Sequence, residues 1–473
     1  MDFFDLISLQ AMAVQFLFWT DYLLLPVYLL LTFVFLNRYF RKKHGHNDAL
    51  KKHFNRGILL KLVGCIAIAL IYQYYYGGAY DGISYFEGAK MLNKYWWDNP
   101  QEFLHTLFSD LDNFNETNLA GIRAGDSGIF ADQSFIVSKI AAIFNIFSFN
   151  TFLPCSIFFC VFAFIGLWNF FIFLREEFGL TATLAGFCTI YIPSVLIWDS
   201  GIFKDTITFT ALLWIFMCGY YGIIKRRKVL KNIIGLVLCG LLVSLVKIYI
   251  LAAFIPFFIL YIFNVYKNSI KNATIRVIAT PFVVAVSAAC IFFFLQNAGE
   301  LLGRYSVDQI LETASRTSYF IQSIGEAGSS YTLDVDYSSP LGMMKAIPMG
   351  LNISMFRPYP WEYAKPFILF ASAESMLFLY FTVYLFFKGG LGKTMKIIFK
   401  NPIMQFCLLF SLLFAFMVGI SSSNFGSLVR YKIPFMPFYL LFLCLLYKEK
   451  FGFKKPAVRR TRPPADRPAW ARS

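Results

Sequence analysis

The chain has 473 residues and a formal net charge of +16, yet 58% of its residues are hydrophobic and only 15% are charged. This composition excludes an ordinary soluble domain, in which about a quarter of the residues are charged. It also excludes nucleic-acid binding as the reason for the positive charge, because the basic residues follow the loops between apolar runs. We expect an all-α, polytopic membrane protein.

Repeated apolar runs of about twenty residues predict transmembrane helices, since each run is long enough to cross the hydrocarbon core once. The alternating pattern of a membrane β-barrel does not occur. We predict one membrane domain, residues 1–453, and a disordered basic cytoplasmic tail, residues 454–473. The domain has about eleven predicted spans: Leu23–Asn37, Ile58–Tyr76, Thr151–Leu174, Thr181–Trp198, Thr206–Ile224, Asn232–Val246, Tyr249–Val265, Val277–Leu295, Phe367–Phe387, Met404–Ile420 and Pro434–Tyr447.

Lys and Arg residues concentrate in one set of loops, and the positive-inside rule places those loops in the cytoplasm. Two long loops, about 77–133 and 297–365, fall on the opposite side, where we expect short amphipathic helices. The segment Ile136–Phe149 has the length of an interfacial or re-entrant helix. We therefore expect a multi-pass protein of a bacterial inner membrane, with its active site on the non-cytoplasmic face.

A carboxylate follows the second predicted span in the segment Tyr80-Asp81-Gly82-Ile83-Ser84-Tyr85. Carboxylates are costly near hydrocarbon, so one held there marks a functional site by default. A general base that removes a proton from an acceptor hydroxyl needs such a group. The simpler alternative is that Asp81 only caps a helix.

Several cations fall on the predicted outer side, against the positive-inside trend. Lys204 lies in an outer turn between Asp199 and Asp205, and Trp361 follows an arginine in a Pro-rich aromatic segment. A single lysine reaching toward the interface needs no function, but several cations together indicate a bound polyprenyl phosphate or pyrophosphate. The predicted substrate-binding residues are Lys204, Lys247, Arg357, Arg430, Lys432, Tyr85 and Trp361.

The motif Tyr80–Tyr85 after a transmembrane helix, then an amphipathic stretch and Ser134–Phe149, resembles the GT-C superfamily of integral-membrane glycosyltransferases. The resemblance implies a lipid-phosphate sugar donor and a catalytic carboxylate in the first long outer loop. It implies that Asp81 is the base, and that Glu87 or Asp126 is an auxiliary acid or the ligand of a divalent cation. No other cofactor is expected, and the implied partners are a lipid-linked sugar donor, a glycan or lipid-linked acceptor and membrane lipids.

Two alternatives remain open. The segment Ser200–Asp205, which opens a predicted span, resembles O-antigen and exopolysaccharide polymerases, which also use lipid pyrophosphates. The alternative from a different class is a non-enzymatic flippase or other transporter of lipid-linked oligosaccharides. Few polar residues are predicted within the spans, with Glu374 the main acid, and this argues against a proton-coupled carrier.

Overall fold

The computed structural model describes residues 15–78, 81–112, 131–267, 340–362, 366–422 and 425–452, with scattered positions between 272 and 289. These residues form helices and no strand, which confirms the predicted all-α class. The predicted span Val277–Leu295 falls mostly outside the described residues, and the predicted tail does so completely.

Sixteen helices follow one another along the described chain. They are α1 Trp19–His44, α2 Asp48–Tyr74, α3 Asp81–Asp98, α4 Pro100–Phe108, α5 Asp132–Ile146, α6 Phe152–Phe178, α7 Ala182–Phe187, α8 Pro193–Trp198, α9 Lys204–Gly219, α10 Val229–Tyr266, α11 Pro340–Phe356, α12 Pro366–Phe387, α13 Leu391–Lys400, α14 Pro402–Ser421, α15 Phe425–Tyr431 and α16 Met436–Phe451.

Seven described helices are long and apolar enough to cross a membrane, and they fit a multi-pass membrane protein. An eighth is added if α15 and α16, which meet at a 65° bend, count as one span. The seven are α1, α2, α6, α9 with its π-helical extension to Ile224, α10, α12 and α14. The predicted number of eleven spans remains a prediction.

Helix α10 doubles back on itself at Lys247, where the backbone leaves the helical region (φ −149°, ψ 71°). A straight helix of this length would hold Leu236 and Phe258 about 33 Å apart along its axis. Both side chains nevertheless lie against the same position, Gly219 of α9. The two halves of α10 therefore run side by side, as the separate predicted spans Asn232–Val246 and Tyr249–Val265 require.

The predicted span Thr181–Trp198 is wrong as a single helix. It consists of two six-residue helices, α7 and α8, separated by a turn. Pro193 is the first residue of α8, and it cannot continue a helix from the preceding turn, because it lacks an N–H and its ring clashes with the carbonyl four residues earlier. The next segment, 199–203, is irregular and buried, which membrane proteins tolerate only inside protein or beside a polar cavity.

Close backbone contact fixes α2 against the end of α8. A Cβ atom added at Gly64 would lie 2.1 Å from the carbonyl oxygen of Leu196, so only glycine permits this approach. The contact lies one helical turn from Lys61 and just before the irregular segment 199–203. It therefore determines which polar groups of these two elements can meet.

An aromatic core joins the helices on the other side of the irregular segment. The ring of Phe216 in α9 stacks on Phe406 in α14 at 5.3 Å and meets Phe438 in α16 edge-on at 5.3 Å. Phe254 in α10 contacts Phe406 at the same separation. Such aromatic contacts add to the packing that holds helices together in lipid, where the hydrophobic effect is weak.

Candidate functional site

Asp205 is the centre of a group of charged side chains drawn from four separate parts of the chain. It lies in the first turn of α9 and is 2% exposed. Its Oδ1 accepts a hydrogen bond from Lys247 Nζ at 2.5 Å, and its Oδ2 accepts one from Arg430 Nε at 2.5 Å. Arg430 also donates from Nη1 to Asp81 Oδ2 at 2.8 Å, so its guanidinium bridges two carboxylates.

Local structure accounts for the positions of the members of this Asp205 group. Asp205 sits at a helix N-terminus, where a negative charge is favourable, and Arg430 lies in the last turn of α15, where a positive charge is favourable. The break in α10 places Lys247 at its apex. Asp81 occupies the first turn of α3 and is 57% exposed at its side chain.

Lys204 supplies a cation that is not neutralised. Its ammonium group forms no ion pair or hydrogen bond with any residue that the structure describes. Four charged groups nevertheless influence it electrostatically: the carboxylates of Asp81 and Asp205 and the cations Lys247 and Arg430. Its one aromatic contact is with the ring of Tyr85, 6.0 Å away. Three cations and two carboxylates thus converge, leaving an excess of positive charge that an anionic ligand can balance.

Tyr85 forms the floor beneath Lys204 and is 5% exposed. Burial raises the pKa of this phenol, and the neighbouring Asp81 carboxylate raises it further. The side chain therefore stays neutral, so it can donate a hydrogen bond or pack against a ligand but cannot act as a base.

A second charged pair lies deeper in the bundle. Lys61 Nζ donates to Asp199 Oδ2 at 2.7 Å and to the carbonyl oxygen of Val195 at 3.1 Å, and both charged side chains are at most 1% exposed. Asp199 Oδ1 is buried without a partner in the described chain. The prediction that Asp199 flanks Lys204 in an outer turn is wrong, because the Asp199 carboxylate is buried and pairs with Lys61 of α2.

A third group surrounds Glu374 of α12. The backbone N–H and hydroxyl of Ser194 each donate to its carboxylate at 2.8 Å, and Lys432 Nζ lies 3.8 Å away. Lys432 also donates to Ser375 Oγ at 3.0 Å and is 2% exposed. The sequence predicted that Lys432 lies on the outer surface with the other cations. The structure instead buries it as a partner of Glu374.

Arg357 is next to this third group, and its charge is already paired. Its Nε donates to Glu362 Oε1 at 2.7 Å, and its guanidinium lies over the ring of Phe425 at 5.1 Å. Trp361 is 76% exposed and stacks on Tyr359 at 4.9 Å. Arg357 therefore contacts the first residue of α15, Phe425, whereas Arg430 of the Asp205 group lies near the other end of that helix.

Of the two carboxylates predicted as auxiliary acids, only Glu87 is described, and it does not join the Asp205 group. Glu87 accepts from Lys90 Nζ at 2.8 Å, one turn along the same helix, and is 41% exposed. Asp126 lies outside the described residues. The described part of the chain contains no group of three His, Cys, Asp or Glu side chains that could hold a metal ion, and the divalent cation stays a prediction.

Sequence reasoning missed the central role of Asp205 and the pairing of Lys61 with Asp199. Lys61 carried a usable signal, because it is a lone cation inside the apolar run Ile58–Tyr76. Ionisable residues within spans are costly and usually have a partner. Nothing in the spacing, however, identifies that partner 138 residues away.

Comparisons with protein-family models, curated proteins and solved structures gave no match. Function must therefore be inferred from the chemistry of the three charged groups.

Proposed function

We propose that the chain is an integral-membrane glycosyltransferase, acting on the outer face in surface-polysaccharide or glycoconjugate assembly. It would move a sugar from a polyprenyl-phosphate-type donor to a glycan or lipid-linked acceptor. The observation that carries this proposal is the Asp205 group, in which an accessible carboxylate adjoins an unpaired lysine. Such a transfer needs both a base and a cation for the departing phosphate.

Asp81 is the proposed general base. Arg430 holds one of its carboxylate oxygens, while the other makes no hydrogen bond with a described residue. The free oxygen would accept the proton of an acceptor hydroxyl as that hydroxyl oxygen attacks the anomeric carbon. The bond between that carbon and the phosphate oxygen breaks, the configuration inverts, and the polyprenyl phosphate leaves as an anion.

Lys204 is the proposed cation for the departing phosphate. Lys247 and Arg430 are both occupied by Asp205, which has 2% exposure and no free oxygen. Asp205 is therefore a counter-ion that positions these two cations and is too enclosed to act as the base. Tyr85, neutral beneath Lys204, would pack against the phosphate or the sugar.

The active site is proposed for the non-cytoplasmic face, because the Lys and Arg residues predict that α2 ends there, before Asp81. A bacterial inner membrane suits a polyprenyl-linked donor. Glu87 is not proposed as the auxiliary acid, because it pairs with Lys90 and forms no ion pair with the Asp205 group.

A transporter of lipid-linked oligosaccharides is the second candidate, and the buried pairs favour it. Charged groups inside the bundle are more numerous than the sequence indicated, with Lys61–Asp199 and Lys432–Glu374 both enclosed. Intramembrane ion pairs of this kind occur in substrate and proton pathways. The polymerase alternative differs in substrate alone and needs the same cations.

The test is sugar transfer by the purified full chain in lipid vesicles, offered a panel of radiolabelled polyprenyl-phosphate sugars. Asp81→Asn preserves shape and the Arg430 contact but removes basicity, and should lower transfer about a hundredfold or more. Glu87→Gln is the matched control, because it removes an exposed carboxylate of the same helix, and it should retain transfer. Equal activity in both variants would refute the assignment of the base.

If the wild-type chain cleaves no donor of the panel, lipid-pyrophosphate oligosaccharides are tested next in the same vesicles. Their joining would support the polymerase. Their movement across the bilayer without chemical change would support the transporter and reject the transferase.

A further inference from the structure

A cavity of about 370 Å³ lies between α1 and α2, at the end of α2 opposite to Asp81. Its lining changes in character along α1. Phe33 and Val34 form an apolar wall, and Arg38 and Arg41 follow one and two turns later. Lys51 faces them from the first turns of α2. The cavity therefore has one apolar end and one cationic end.

None of the three cations in this cavity is neutralised. Arg38, Arg41 and Lys51 form no ion pair with any residue in the described ranges, and no carboxylate lines the cavity. The cost of holding like charges close together falls when an anion binds between them. The site therefore has the electrostatics of an anion receptor.

Amide groups complete the polar end. Asn37 and Asn55 line the cavity from the two helices. Asn55 Oδ1 is buried and has no hydrogen-bond partner in the described chain, an arrangement that proteins usually avoid. A hydroxyl group of a bound molecule would satisfy that acceptor.

We propose that this cavity binds an anionic phospholipid, with the phosphate against Arg38, Arg41 and Lys51 and an acyl chain against Phe33 and Val34. Both apolar residues are exposed, at 49% and 39%, in a helix long and apolar enough to cross a membrane. Lipid tails therefore meet this wall directly. Basic pockets between spans on the cytoplasmic side bind lipid headgroups, and the Lys and Arg distribution places this end of α1 on that side.

The alternative source of the same chemistry is a free phosphate ion or a soluble phosphate ester. The apolar wall favours the lipid, because a free ion gains nothing from Phe33 or Val34. This site is separate from the proposed transferase site in both position and ligand, so neither proposal depends on the other.

The test is native mass spectrometry of the delipidated full chain in detergent, titrated with phosphatidylglycerol. The variant Arg38→Gln/Lys51→Gln removes two lining cations. The control Lys42→Gln/Lys52→Gln removes two exposed cations from the same two helices that do not line the cavity. We expect the lining variant to bind about tenfold or more weakly than the wild-type chain, and the control to match it within about twofold.

Inorganic phosphate and phosphatidylcholine distinguish the sources. The proposal expects that millimolar phosphate does not displace phosphatidylglycerol and that phosphatidylcholine binds more weakly. Efficient displacement by phosphate would overturn the lipid assignment in favour of a soluble anion. Equal losses in the lining and control variants would overturn the site itself. The single variant Arg41→Gln, checked by the same titration, provides the test if the double variant fails to fold.

Discussion

Two charged regions of the protein use the same kinds of side chain in opposite ways. In the deep pair, Lys61 and Asp199 neutralise each other and are at most 1% exposed. In the Asp205 group, Lys204 has no counter-ion among the described residues, and Asp81 is 57% exposed. A buried pair whose charges neutralise each other contributes to structure, whereas a solvent-accessible group with excess positive charge can bind an anionic ligand.

The largest effect is expected when the pair between Lys61 and Asp199 is broken. Lys61→Met leaves Asp199 as an uncompensated buried charge and should lower the free energy of unfolding by about 3–5 kcal/mol. The double variant Lys61→Met/Asp199→Leu should recover most of that loss, because an apolar pair of similar volume replaces the charges. Thermal denaturation of the purified variants in detergent measures both changes.

Transfer activity of the double variant then separates a structural pair from a functional one. Retained activity supports the structural reading of Lys61 and Asp199. A stable double variant without transfer activity would show that the deep pair belongs to the transfer site.

Removing the unpaired cation should have the next largest effect. Lys204→Gln should weaken binding of a polyprenyl-phosphate donor by about 1.5–3 kcal/mol, the usual value of a hydrogen bond to a charged group. Folding should be unaffected, because no described ion pair is lost. Lys94→Gln, an exposed lysine of α3, is the matched control. Donor titration by fluorescence quenching measures the affinity, and equal affinities in the two variants would contradict the phosphate role.

A smaller effect is expected when the bridging guanidinium is replaced. Arg430→Lys keeps the charge but loses the fork that reaches Asp205 from Nε and Asp81 from Nη1. We expect about a tenfold lower transfer rate at saturating donor, because Asp81 loses its fixed orientation. A rate equal to that of the wild-type chain would show that the bridge does not position the base.

The smallest effect is expected at Arg357, although the sequence alone made it a phosphate ligand. Its charge is already paired with Glu362, so Arg357→Ala should change donor affinity by less than about threefold. The same donor titration checks this. A loss as large as that of Lys204→Gln would place Arg357 back in the phosphate site and would break the separation of the two groups.

Part of this arrangement was accessible from the sequence. Apolar runs predicted α2, α6 and α14, because the bilayer requires long uninterrupted helices. The prediction of a single span over Thr181–Trp198 was wrong, because a hydropathy window averages over Pro193 and does not detect the break before α8. The fold-back of α10 was anticipated at Lys247, where a charge interrupts two apolar runs.

The site shows the same division. Asp81, Lys204, Lys247 and Arg430 were expected on one side of the membrane, and the structure brings all four together. A topology prediction places residues on one side of the membrane but does not show which of them contact each other. Lys432 was therefore predicted to join these four residues, although it pairs with Glu374. Such pairings depend on how helices that are distant in sequence pack together, and the local spacing of residues does not predict that packing.

The most direct test of the central claim measures donor binding and transfer in the same preparation of Asp81→Asn. If Asp81 is the base and Lys204 holds the phosphate, this variant should bind the polyprenyl-phosphate donor at least as tightly as the wild-type chain. Its single-turnover transfer rate at saturating donor should fall about a hundredfold or more. A variant that binds the donor and transfers the sugar at the wild-type rate would contradict the account.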